Sequence, residues 1–100
     1  MLERVKEFIP DLIILDHYKQ PSLFMKGITE YLIIQIEGYQ YEISSKLHYD
    51  RNLNRRFYSY VFGNDEGEFY KYLYHGLYFN ELINAIKEEM KRRKENELDS

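Results

Sequence analysis

A chain of 100 residues with 44% hydrophobic and 31% charged residues and a formal net charge of −3 is expected to form one domain, spanning 1–100, around one core. That charge excludes both a polyanion imitating nucleic acid and a basic protein drawn to phosphate, and no apolar run approaches the roughly 18 residues of a membrane helix. The lack of cysteine excludes a disulfide framework and thiolate metal sites and suits a reducing cytosol, and the opening MLERVKEFIP lacks the apolar segment of a secretory signal, so a soluble, cytoplasmic protein is expected.

Leu2, Val5, Phe8 and Ile9 recur at helical spacing with charges between them, which predicts a short amphipathic helix over 2–9, limited by Pro10. Asp11 to Leu15 fits either a buried strand or a helix restarting with Pro10 at its first position; the helix is favoured, continuing through Leu15. His17 to Gly27 contains Pro21, Ser22 and Gly27 and reads as a connection, with a short extended piece at Leu23 to Met25.

Two alternating runs meet at Glu37-Gly38. Folding back there sets Leu32, Ile34 and Ile36 opposite Ile43, Tyr41 and Tyr39 and leaves Ile33, Gln35, Gln40 and Glu42 on the other face. A slip by one residue would oppose Ile34 to Gln40, so Ile28 to Ser44 is a β-hairpin of defined register. Ser45 to Arg56 is polar, rich in Asn and Arg, and reads as a loop. Phe57 to Phe62 is aromatic and β-branched, hence a third strand, closed by the turn cluster Gly63 to Gly67. Glu68 to Tyr74 is favoured as a fourth strand, against a helix begun by a loose capping box at Asp65 and Glu68.

Asn80 suits an N-cap, Glu81 the first turn, and Leu82, Ile83, Ile86 and Met90 form one apolar stripe. A helix is predicted from 80 to about 94, with Lys91 to Lys94 favoured at its negative end, Glu88/Arg92 and Glu89/Arg93 as ion pairs, and 95–100 frayed. The fold class is α+β: an antiparallel sheet of three to four strands in two hairpins, flanked by terminal helices. One sheet face is covered; the other meets water, drawing on Ile33, Gln35, Gln40, Glu42, Tyr58, Tyr60 and Lys71.

Catalytic signatures are missing. His17, His48 and His75 have acids near the first two, but nothing repeats at metal-ligand spacing, and turn residues explain them better. No serine lies in a nucleophile elbow, and Gly63-x-x-x-Gly67 lacks the Lys-Ser/Thr of a phosphate loop. The acids around Asp65 serve a turn. No cofactor, metal or enzymatic activity is expected. The remaining oddity is 11 tyrosines and 6 phenylalanines without tryptophan, more rings than a small core absorbs, although strands by themselves favour aromatic residues. Arg51 to Arg56, beside Tyr49, Phe57 and Tyr58, combines cations with rings and is the one segment with the look of a nucleic-acid contact.

Ile28-Thr29, Leu32-Ile33-Ile34 and Tyr41-x-Ile43-Ser44 resemble the first hairpin of a small anti-CRISPR family encoded by Listeria phages. The resemblance covers some seventeen residues with a gap at the turn and implies a non-enzymatic inhibitor that occupies the protospacer-adjacent duplex site of an RNA-guided nuclease through an acidic surface. This chain lacks a long acidic run and has Arg51 to Arg56 instead, so no binding residue is carried over. The expectation is a phage or mobile-element binding module that docks on a bacterial protein or ribonucleoprotein complex. Its nominated contacts are Tyr49, Arg51, Arg55, Arg56, Tyr58 and Tyr60, since rings and guanidinium groups dominate such interfaces. The alternatives are a nucleic-acid binder using the same arginines and a protein that self-associates, as a homodimer or larger, through exposed rings or a strand edge.

Overall fold

A computed structural model describes residues 1–21, 27–65 and 69–98. Helix α1 (Leu2–Phe8) is followed by strands β1 (Ile13–Pro21), β2 (Ile28–Ile36), β3 (Tyr39–Asp50), β4 (Arg55–Asp65) and β5 (Tyr70–Gly76), then by helix α2 (Phe79–Leu98). The five strands form one antiparallel meander in chain order, one strand more than the upper expectation.

The β2–β3 register is the one the alternation requires: Leu32 pairs with Ile43, Ile34 with Tyr41 and Ile36 with Tyr39. Glu37 (φ 50°) and Gly38 (φ 83°) make the two-residue connection; positive φ at both positions is the turn whose twist matches paired strands. Both helices cover the same sheet face. Val5 from the first and Ile9 and Leu12 from the turn that follows it, with Phe79, Leu82, Ile83 and Ile86 from the second, close over Leu32, Ile34, Ile43, Tyr41, Tyr60 and Phe62. Each large side chain sealed in this way stabilises the fold by about 1.5–3 kcal/mol.

Several expectations are corrected. Ile13 to Leu15 is strand, not helix: the Lys6 ammonium donates to the carbonyls of Pro10 and Leu12, both at 3.1 Å, holding a turn after α1 from which the β-branched pair Ile13-Ile14 runs out extended. His17 to Pro21 continues that strand; Leu23 to Met25 lie outside the described residues. Ser45 to Asp50 and Arg55-Arg56 belong to strands, so the expected loop shrinks to Arg51–Asn54. Of the stretch expected as a fourth strand, Tyr70 to Tyr74 is strand, as favoured, and Glu68 lies outside the described residues.

At α2, Phe79 rather than Asn80 opens the helix, and the Tyr74 hydroxyl acts as its cap, accepting from the Tyr78 amide at 3.2 Å and donating to the Tyr78 carbonyl at 3.1 Å. The helix is assigned to Leu98, and the basic run is not at its end. Glu89 meets Arg92 at i,i+3 instead, and Arg93 reaches back to the sheet. Both edge strands are interrupted: Leu15 is an extra residue between the pairs Ile14/Ile34 and Asp16/Ile33, and Leu73 between Tyr74/Phe62 and Tyr72/Gly63.

Buried Glu89 fastens the long helix. Its Oε2 accepts from the Tyr41 hydroxyl at 2.9 Å, Arg92 donates to both carboxylate oxygens, and Arg93 Nε donates to the Tyr41 oxygen at 2.7 Å while its guanidinium lies 3.7 Å from the Tyr39 ring centre. Burial opposes the charge, but the hydrogen bonds from Arg92 and Tyr41 and the two guanidinium charges outweigh it and hold Glu89 below the usual carboxylate range.

Candidate functional site

The uncovered face is built by strand register. One row across it reads Asp16, Ile33, Glu42, Gly63, Tyr72; the next reads Tyr18, Tyr31, Ser44, Val61, His75; the third reads Gln20, Thr29, Lys46, Ser59. Small side chains occupy the middle and rings stand at the sides, which leaves a hollow of about 410 Å³ lined by Tyr31, Glu42, Lys46, His48, Tyr70 and Tyr72 among others. Tyr18 stacks on Tyr31 with ring centres 5.0 Å apart, and Tyr70 leans on Tyr72 at 4.8 Å. A Cβ on Gly63 would collide with the Tyr70 ring, so the missing side chain is what lets that wall settle on the backbone.

Electrostatically the hollow is two-ended. Burial pushes the Glu42 carboxyl up from its ordinary value, and among the described residues no hydrogen bond or ion pair engages it. Lys46 is four residues along the same strand, about 13 Å in Cα separation, and its charge does not act on the Glu42 carboxyl, whose shift comes from burial. Burial, then the Glu42 charge, pushes the Tyr70 hydroxyl up to about 12.

The β3–β4 hairpin runs beyond the helices. Core positions on β3 end at Ser45; further out, Leu47 and Tyr49 are exposed, and across from them so is Tyr58. The tip is ordered by its own groups. Asp50 Oδ1 accepts from the amides of Asn52 (2.9 Å) and Leu53 (3.3 Å), and the Tyr49 hydroxyl donates to Asn54 Oδ1 at 2.6 Å. A second hollow, of about 890 Å³, lies at this end, lined by Gly27, Leu47, His48, Tyr49, Asn54, Arg55 and Arg56.

Of the nominated contacts, Tyr49, Arg55 and Arg56 share that second hollow, Arg51 stands exposed in the turn, and Tyr58 is half exposed at 51%. Tyr60 is corrected. At 6% exposure it is a core residue, packed edge-on against Phe79 with ring centres 5.6 Å apart, and it supports Tyr58 instead of offering a surface. Tyr58 shares its helix-side parity, and Lys71 is the cross-strand partner of buried Asn64 and lines a recess beside α2, so neither joins the open face as expected. Sequence reasoning placed Glu42 on that face but missed Tyr31, Tyr70, Tyr72 and His75 as its walls. The available signal was Ser59, Val61 and Gly63 alternating with Tyr60 and Phe62: small residues on one side of a strand that is aromatic on the other.

The histidines divide by position. His17 meets Glu30 at 2.5 Å, His48 stacks on Phe57 at 5.0 Å and faces Ser59 Oγ at 2.7 Å, and His75 borders the first hollow. Among the described residues no three His, Asp or Glu side chains converge on a point where a metal ion would sit, and no helix is long and apolar enough to cross a membrane. No family model matches this chain, nor does any curated protein or solved structure.

Proposed function

We propose that this chain is a non-enzymatic binding module that grips a protein partner with the projecting β3–β4 arm and the adjoining open sheet face. The observation that carries this reading is where the ring surplus lies. Of the described aromatic side chains only Tyr41, Tyr60, Phe62 and Phe79 are buried, while Tyr49, Tyr58, Tyr72 and Tyr78 are more than half exposed. On the arm, Tyr49 and Tyr58 stand with Leu47, Leu53 and three arginines, a pairing of rings and guanidinium groups that gives large contacts at low entropic cost.

The resemblance of the β2–β3 hairpin to the anti-CRISPR family makes a bacterial CRISPR effector ribonucleoprotein the partner to assay first. Wild-type protein is expected to slow target cleavage, and Tyr49→Ala or Arg56→Ala to weaken that inhibition at least tenfold. Arm substitutions that leave partner binding within a few-fold of wild type would refute the arm as the gripping element. A nucleic-acid reading is favoured by one observation, the shared hollow of Tyr49, Arg55 and Arg56. Salt separates the two readings: phosphate contacts make affinity fall steeply between 50 and 200 mM salt, whereas an aromatic protein interface changes little.

A further inference from the structure

We propose that the hollow on the open sheet face is a receptor for one arginine side chain of the partner, with Glu42 at its floor and Tyr31 and the Tyr70–Tyr72 pair as its walls. The partner's identity rests on the binding-module reading; the pocket chemistry rests on the face itself. A carboxylate set among strands and rings has lost water, and such a group is costly unless a counter-charge arrives. Among the described residues none supplies it, and Lys46 is held at the opposite end by strand spacing. Asp16, in the same row as Glu42, adds negative potential at that end.

Ring faces are negative, so the tyrosine walls favour a cation between them. A guanidinium suits this geometry better than an ammonium, being flat enough to stack on a ring while its fork meets a carboxylate. Lys46 at the far end disfavours a run of basic residues, so a single arginine in an otherwise neutral or acidic segment is the fitting occupant. Anionic ligands such as phosphate are disfavoured at the Glu42 end for the same electrostatic reason.

The test titrates N-acetyl-arginine methylamide into isotope-labelled protein and follows backbone amide signals by NMR. Saturable shifts are expected along the Tyr31, Glu42, Gly63 and Tyr72 rows, with a Kd on the order of 1 mM for a single side chain. The uncharged citrulline analogue should bind at least tenfold more weakly, as should Glu42→Gln, whose fold is checked by circular dichroism. Gly63→Ala is a second probe, since the new methyl displaces the Tyr70 ring, and a several-fold loss is expected. Absent saturation at these rows, unchanged affinity in Glu42→Gln, or equal binding of the lysine analogue would overturn the assignment. No partner is needed in this titration, so failure here with arm-dependent partner capture retained removes the arginine receptor alone.

Discussion

Replacing Tyr41 by Phe removes one oxygen from the interior and leaves the ring in place. That oxygen donates to Glu89, itself 5% exposed, and accepts from Arg93. A hydrogen bond to a buried charged group contributes about 1.5–3 kcal/mol. Arg93 retains its stacking on Tyr39 and reaches water, so its share of the loss is small. We expect Tyr41→Phe to cost about 2 kcal/mol in urea denaturation followed by circular dichroism, which for a domain of this size lowers Tm by roughly 10 °C. Glu89→Gln and the double variant complete a cycle, with an expected coupling of at least about 1 kcal/mol. The sign with pH follows from Glu89 lying below its ordinary value. Its contribution is present above the unfolded carboxyl value, about 4.3, and is lost as pH falls through the lower folded value, so the gap between wild type and variant narrows in acid. A cost below about 0.5 kcal/mol, strict additivity, or a gap that stays constant in acid would refute the account.

Glu42→Gln should stabilise the fold at neutral pH, by less than about 1 kcal/mol. A carboxyl raised by burial contributes its stability below the unfolded value and loses it as pH rises, so the advantage of the variant should open above about pH 4.3; a variant no more stable than wild type at pH 7 would count against a desolvated carboxylate. Tyr60→Ala should cost about 3–5 kcal/mol by cavity formation, against less than about 1 kcal/mol for Tyr58→Ala, and equal losses in thermal melts would contradict their placement. Glu37→Asn should gain about 0.5–1 kcal/mol, because the turn needs positive φ at that position and asparagine adopts it more readily; a lower Tm for this variant would argue against the turn.

The hairpin at the centre was legible because Leu32, Ile34 and Ile36 alternate with polar or half-buried positions and one slip would spoil every pair. Ile13 to Leu15 was not, since four consecutive apolar residues from Leu12 carry neither period, and the deciding contact is a lysine reaching two carbonyls. The Ser45 to Arg56 stretch hid its strands for a different reason: the arm has solvent on both faces past Ser45, so selection for alternation disappears where the helices end. Aromatic residues at 57, 58, 60 and 62 occupy both sides of β4, and only helix coverage separates core Tyr60 from arm Tyr58. The hollow draws residues from four strands through a register shifted at Leu73, information that no local window contains.

The interruptions at Leu15 and Leu73 reach beyond local geometry. They fall on the outermost ribbons of the meander, where uncommitted amide and carbonyl groups would otherwise present a straight rail for another chain. A kinked rail does not zip onto its like. The meander thus carries exposed rings such as Tyr49, Tyr58 and Tyr72 while neither margin offers an unbroken rail for stacking into fibrils.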